Sequence, residues 1–309
     1  MQLLAPLPVT LRQLQYVVAV ADLGGFRRAA EACHVAQPSL SAQIALVEGA
    51  LGVRLFERDR RRVRVSAAGA PIIAQARAVL VAAGDLRELG RQLADPFSGT
   101  LRIGVIPTIS PYLLPEIAPA LARRYPRLTI AWSEDRTSGL VRQANDGGLD
   151  AAILATEADL GGLEHTVLLR DPFLLAAAPE HPISSLRRRA RMADLKDLSV
   201  LLLDDGHCFR TQALQLCARA GAQEAGFRAT SLSTLVQMAS AGRGVTLLPS
   251  IARAVENRRG QLVTRPFTPP GPGRTIALAW RRRSALAPSL ERLAASMREA
   301  LKALHPATP

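Results

Sequence analysis

With 309 residues the chain can build two or three domains with separate cores, and 48% hydrophobic against 21% charged residues excludes a disordered polymer. No apolar run reaches 18 residues without a charge or a Pro/Gly break, and Met1 to Pro8 lacks a positive leader, so a cytoplasmic chain with neither membrane span nor secretory signal is expected. The net charge of +13 suits a polyanionic partner, but only Lys196 and Lys302 are lysines, and the Arg-heavy composition of a GC-rich genome accounts for it equally well.

Residues 10–62 read as compact helices joined by tight turns. Leu14, Val17, Val18 and Ala21 recur at helical spacing, Gly24-Gly25 breaks the helix, and Phe26 to Cys33 forms a second one. After the turn His34-Val35-Ala36, Gln37-Pro38-Ser39-Leu40 opens a third helix through Ile44, Leu46 and Val47, with Pro38 suited to its first turn. Two helices across such a turn make a helix-turn-helix, whose second helix enters the major groove by its N-terminal end. Gln37, Pro38, Ser39, Ser41 and Gln43 are candidates for base edges and phosphates, with Arg27 beside them. From Arg54 to Val65 apolar and basic residues alternate as in a β-wing, so Arg58, Arg60, Arg61, Arg62 and Arg64 are candidate backbone or minor-groove contacts. Residues 1–95 hold 12 Arg against 8 acidic residues, so charge supports a double-stranded DNA partner without carrying the argument.

Residues 70–94 read as one long helix with a seam at Ile72, Ala76, Val79, Ala83, Leu86, Gly90 and Leu93. That 4-3 spacing marks a helix that pairs with another, weakly because several seam residues are small. A dimer suits paired half-sites on DNA. Asp95-Pro96-Phe97-Ser98-Gly99 ends the helix. The expected division is a DNA-binding domain over 1–67, a linker (dimerisation) helix over 68–95, and an effector domain over 96–309.

From Thr100 the pattern alternates between strand and helix. Strands over 101–106, 128–132 and 151–154 enclose helices over 112–124 and 140–146. A second series holds strands over 172–178, 200–203 and 244–249, with helices from 208 and over 235–241. A strand over 275–280 and a helix over 288–304 complete the chain. Such alternation predicts a mainly parallel α/β arrangement in two small sheets, with ligands beyond the carboxyl ends of the strands. Thr108 and Thr137 stand at such ends.

Cys208 and Cys217 lie nine residues apart in one predicted helix. That separation is a rise of about 13.5 Å and a turn of about 900°, which places the side chains on roughly opposite faces. A disulfide needs Cα atoms within about 7 Å, so the pair could bond only if the helix between them came apart. This is the outline of a chemical switch. The third cysteine, Cys33, reads as a buried small hydrophobe. Three cysteines without CxxC and five scattered histidines exclude a zinc ribbon, and no metal or cofactor is expected.

The run F-R-R-A-A-E-A-C-H-V-A-Q-P-S-L-S-A-Q-I at 26–44, with L-G-V-R-L-F-E-R at 51–58, resembles the LysR-type transcriptional regulators over the whole DNA-binding domain. Further motifs resemble the hydrogen-peroxide-sensing branch of that family: G-V-I-P-T-I-S-P-Y-L-L-P at 104–115, E-D-R-T at 134–137, L-D-D-G-H-C-F-R at 203–210, R-A-T-S-L at 228–232, G-V-T-L-L-P at 244–249 and G-R-T-I at 273–276. Gly-His-Cys with a second Cys nine residues on is the most discriminating element. The chain departs from the pattern by several extra N-terminal residues and by local changes around 184–192, neither of which touches the site.

The resemblance implies an α/β protein with an N-terminal all-α winged helix-turn-helix. Its effector domain would have two Rossmann-like lobes of the periplasmic-binding-protein-like type 2, over about 99–169 plus 276–309 and about 170–275. It implies a homodimer or homotetramer on promoter half-sites, an activator working with RNA polymerase, hydrogen peroxide as signal and a thiol reductant for reset. Cys208 would be the peroxidatic cysteine and Cys217 the resolving one, with Thr108, Thr137, His207 and Arg274 shaping the peroxide pocket. A helix N-terminus near Arg274 and His207 would make Cys208 partly thiolate, which peroxide would convert to a sulfenic acid for Cys217 to condense with. With a DNA-binding domain attached, such a chain is a sensor and not a turnover enzyme.

Two other readings remain at this level. A LysR regulator that binds a small organic acid or aromatic between its lobes predicts a response indifferent to Cys208. A thiol peroxidase with an appended domain predicts multiple turnovers, against which the missing CxxC argues.

Overall fold

The computed structural model describes residues 8–58, 63–95 and 97–304, in two compact units, Met1–Arg91 and Gln92–Pro309. In the first, α1 (Leu11–Leu23) starts at a capping box between Thr10 and Gln13 and stops at Gly24, which takes the left-handed conformation (φ 60°) that glycine alone adopts cheaply. After α2 (Phe26–Ala32) comes α3 (Gln37–Leu51), which buries Leu40, Ile44 and Val47 against Val17, Val20, Ala29 and Ala30. The antiparallel strands β1 (Phe56–Arg58) and β2 (Val63–Val65) form the wing, and Phe56 meets Phe26 edge-on at 5.9 Å.

Helix α4 (Gly69–Ala94) begins where the Ser66 hydroxyl accepts the Gly69 amide. Its first turns bury Ile73 and Ala76, while Val79 and Leu86 farther along the expected seam are 38% and 73% exposed. By length and mean hydropathy (1.2) its stretch Gly69–Arg87 could cross a membrane, which the sequence reading did not anticipate. Within that stretch, however, Arg77 pairs with Asp22 of α1, and the buried face belongs to a protein core.

The second unit runs β3 (Gly99–Val105), α5 (Ser110–Arg124), β4 (Leu128–Glu134), α6 (Thr137–Asn145), β5 (Ala151–Ala155) and the 14-residue β6 (Glu164–Ala177). There follow β7 (Ser199–Leu203), α7 (Cys208–Ala220), β8 (Gln223–Ala229), α8 (Leu232–Ser240), β9 (Val245–Pro249), α9 (Arg253–Glu256), β10 (Val263–Pro266), β11 (Gly273–Trp280) and α10 (Ala287–Leu304). Two apolar cores define two lobes. The first gathers Ile103, Ile117, Ile153, Leu278 and Leu293 beneath α5 and α10. The second gathers Phe173, Leu202, Phe209, Val236 and Leu247 between its strands and α7 and α8.

The expectation of two separate, mainly parallel sheets needs correction. One mixed path, β4-β3-β5-β11-β6-β9-β7-β8, joins the lobes, with β10 on β6. The cause is β6, which would extend roughly 46 Å at strand rise. Its residues 164–172 pair antiparallel with β11 in the first lobe, and residues 173–177 pair antiparallel with β9 and β10 in the second. Apart from an isolated bridge between Ala190 and Phe267, parallel pairing is confined to β3 with β4 and β5, and β7 with β8 and β9, among the described residues. Strands β8 and β10 were not expected, and α5 and α6 begin at Ser110 and Thr137, ahead of the apolar periodicity that revealed them.

Candidate redox site and DNA interface

Gln37, Pro38 and Ser39 stand exposed at the start of α3, with Ser41 and Gln43 partly covered. The Gln43 amide oxygen accepts from Gln13 Nε2 at 2.9 Å, which ties α3 to α1 and leaves the Gln43 amide donors for a base or phosphate. Arg27 is exposed and 3.6 Å from Glu31 of its own helix, a pair that a phosphate could readily displace. Arg64 is exposed on β2, whereas the side chain of Arg58 and residues Arg60, Arg61 and Arg62 lie outside the described residues.

The cysteine helix α7 follows β7 through Asp204-Asp205-Gly206-His207, and Cys208 is its first residue. Cys208, His207, Gly206 and Thr137 share the wall of one cavity of about 530 Å³. Thr137 reaches it because α6 beds closely on β3. Gly104 lets Leu140 and Leu149 approach, and a Cβ there would stand 2.7 Å from Leu149. Hydrogen peroxide is little larger than a water molecule, whose share of liquid is about 30 Å³, so the cavity admits it with room to spare.

The two cysteines occupy opposite settings. Both are free thiols; Cys208 packs against the core of the first lobe, while Cys217 is buried within the core of the second. Continuous helix separates them. Burial, then the charge of Glu224, pushes the Cys217 thiol upward, so it stays protonated and inert in this arrangement.

Thr108 and Arg274 form a second, sealed cluster rather than lining the cavity. Arg274 is fully buried, donates from Nε to Asp171 at 2.9 Å, from Nη1 to the Thr108 hydroxyl at 2.8 Å, and from Nη2 to the Thr108 carbonyl at 2.9 Å. Asp171 also accepts the Ile251 amide. Burial pushes the Asp171 carboxyl up, against the pull of Arg274. The cluster touches the cysteine helix through Phe209, whose ring lies 5.7 Å from the Arg274 guanidinium and edge-on to Phe173 at 5.1 Å. Neither cation expected beside Cys208 is thus available to it: Arg274 is neutralised by Asp171, and burial, reinforced by Arg136, holds His207 below the usual histidine range and so uncharged.

The first turn of α7 is pinned by charge. Arg210 donates to the Leu203 carbonyl at 3.0 Å, to Asp205 at 2.9 Å and to Glu224 at 2.9 Å, and Arg228 bonds both carboxylates. Glu224 is held below the usual carboxylate range, chiefly by its hydrogen bond from Arg210.

Gln212 escaped the sequence reading. It lies four residues after Cys208, hence on the same helix face, and lines the cavity. Its Oε1 and the Thr137 hydroxyl are buried without a hydrogen-bond partner among the described residues, so both residues of this cavity wall keep hydrogen-bonding capacity.

Residues 11–70 match the family described as bacterial regulatory helix-turn-helix protein, lysR family, and residues 94–302 match the LysR substrate binding domain. A hydrogen peroxide-inducible genes activator of Dickeya chrysanthemi is 45% identical over 96% of this chain and 97% of its own length. The DNA-binding transcriptional dual regulator OxyR of Escherichia coli K12 is 44% identical over 94% and 95%. Among solved structures, a full-length OxyR of Pseudomonas aeruginosa with a cysteine-to-aspartate change superposes with a TM-score of 0.77 at 36% identity, over 94% and 95% of the two chains. A hydrogen-peroxide-bound cysteine-to-serine mutant of Corynebacterium glutamicum OxyR gives 0.66 at 34%, over 96% and 94%. With both halves of the architecture and this degree of identity along nearly its full length, the chain belongs to the LysR family of bacterial transcriptional regulators, in its OxyR branch.

Proposed function

We propose that this regulator senses hydrogen peroxide by reversible disulfide formation between Cys208 and Cys217 and thereby activates antioxidant-defence genes. The observation that carries the reading is the position of Cys208, at the head of α7 and on the wall of a cavity shared with Thr137, His207 and Gln212, with Cys217 held back in the second lobe. The relatives named hydrogen peroxide-inducible activators support it. The Cys208 thiol gives up its proton and its sulfur attacks one peroxide oxygen; the S–O bond forms, the O–O bond breaks, and the departing hydroxide takes up that proton to leave as water. The sulfur loses two electrons and the peroxide gains them. Thr137 and Gln212 offer hydrogen bonds that orient the oxidant, and neutral His207 can pass a proton.

The sulfenic acid then condenses with the Cys217 thiol, releasing water, which requires α7 to unwind and Arg210 to give up its partners. Residues 1–67 read the DNA, 68–95 pair the subunits into dimers and a homotetramer, and 96–309 sense. The bare seam at Val79 and Leu86 favours such pairing. The protein works in the cytoplasm with RNA polymerase as partner, and a thiol reductant restores the free cysteines. Non-reducing mass spectrometry after one equivalent of hydrogen peroxide tests the reading. A rapid Cys208–Cys217 linkage with Cys33 still alkylatable is the expected result; equal oxidation of Cys208 and Cys33 would overturn it in favour of a ligand-binding LysR regulator.

A further inference from the structure

Arg136, the last residue before α6, belongs to the first lobe but lies flat on the second. A Cβ added to Gly206 would stand 2.6 Å from its Nη1, 2.9 Å from its Cδ and 3.0 Å from its Cζ. Gly206 holds φ at +91° and leads directly into His207 and Cys208, so the guanidinium lies against the cavity rim that carries the thiol. Among the described residues that guanidinium makes no hydrogen bond and no ion pair. The neighbouring carboxylates are engaged elsewhere: Asp205 with Arg210 and Arg228, Asp135 with the Arg136 amide and Gln143, and Asp204 with the Asp205 amide.

We propose that Arg136 is the electrostatic positioning residue of the Cys208 reaction, steadying the negative charge that passes from the sulfur to the departing hydroxide. The proposal rests on the peroxide reading. Arg136 takes the place of the two cations that the fold withholds from the thiol. Because it is exposed, its influence acts through solvent and is screened by salt, unlike that of buried dipoles. A single cation in such surroundings changes the rate of an anionic step about three- to tenfold. Gly206 leads directly into α7, so on this proposal opening of the helix unseats Arg136, which then assists the first oxidation and has no part in reduction of the finished disulfide.

The test is the second-order rate of Cys208 oxidation by hydrogen peroxide in the reduced full-length protein, quenched by alkylation and read by intact mass, at about 0.01 M and about 1 M sodium chloride. The wild type should slow about three- to tenfold at high salt. Arg136→Gln should be slow at low salt and indifferent to salt, and Arg136→Lys should restore most of both rate and salt response. Arg243→Gln, an equal loss of charge on an exposed turn of the second lobe, should behave as wild type, as should the reduction rate of the disulfide in Arg136→Gln. A wild-type rate in Arg136→Gln at low salt, or a salt response that survives the substitution, would overturn the role of Arg136 while leaving the peroxide reading intact. A wild-type Cys208 that oxidises no faster than Cys33 would remove both together.

Discussion

The helix-turn-helix and the cleft around Cys208 are held together by different forces. The first is an apolar core: Val17, Val20, Leu40, Ile44, Val47 and Leu55 are buried with no ionic partner among them. The second adds to its apolar cores a set of traded bonds, Arg274 to Asp171 and Thr108, Arg210 to Leu203, Asp205 and Glu224, and Tyr112 to Glu256. An apolar core offers no way out except wholesale exposure to water, so it keeps one shape. Polar fastenings can be released one at a time, each freed group finding water or a new partner. On the proposed reading, the molecule reads DNA with a region held by apolar packing and places its reactive thiol beside exchangeable polar bonds.

The sharpest way to break this contrast is Cys208→Ser. It should abolish disulfide formation and leave the DNA footprint the same with and without peroxide; a persisting peroxide-dependent footprint would refute the switch. Next comes Ile44→Ala in the apolar region, expected to cost about 2–5 kcal/mol in unfolding of the first unit. The rate of Cys208 oxidation should be untouched, as measured in parallel by denaturant titration and quenched alkylation.

Arg210→Gln probes the polar fastening. It strips Glu224 of its strongest partner and should cost about 1–3 kcal/mol of lobe stability. Because that loss falls on the helical, reduced form, the disulfide should gain about five- to a hundredfold in dithiol redox buffers, at about 1.4 kcal/mol per tenfold. An unchanged thiol–disulfide equilibrium would mean that α7 opens without disturbing Arg210.

The smallest expected effect is on pH. Burial keeps His207 uncharged in the fold, whereas the unfolded chain takes up its proton near pH 6.5, about the ordinary histidine value. The unfolded state then binds more protons, so stability rises with pH across that window and falls below it. His207→Gln should flatten this slope. Glu224, held charged by Arg210, contributes a separate loss at lower pH, as the medium passes through its depressed value. A slope unaltered by the substitution would show that His207 does not titrate differently in the two states.

Much of this could be read from the residues alone, for physical reasons that differ by region. The helix-turn-helix was legible because Leu40, Ile44 and Val47 repeat at helical spacing and Gly24 and Gly52 mark the ends of α1 and α3. The cysteine helix was legible because nine residues of helix cannot bring two thiols together. The union of the sheets was not, because the partners of β6 lie as far away as β11, about a hundred residues on, and local pattern carries no such information. The charge state of the site was hidden for the same reason. Arg274 meets Asp171 across 103 positions, and the burial that discharges His207 is a property of the assembled cleft. Gln212 could have been found, since four residues beyond a reactive residue in a helix is the same face.

Strand β6 has a consequence for what kind of receptor this is. Two lobes connected by slack loops can close over a guest like a hand, and occupancy alone then carries the message. Here one unbroken strand is shared between the lobes and clasped along its length by β11, β9 and β10. With the lobes joined in this way, the proposed disulfide makes the outlying helix α7 the reporter, which surrenders its own order to speak. An instrument working as proposed registers an event when a covalent bond changes hands, and its memory lasts until a reductant erases it.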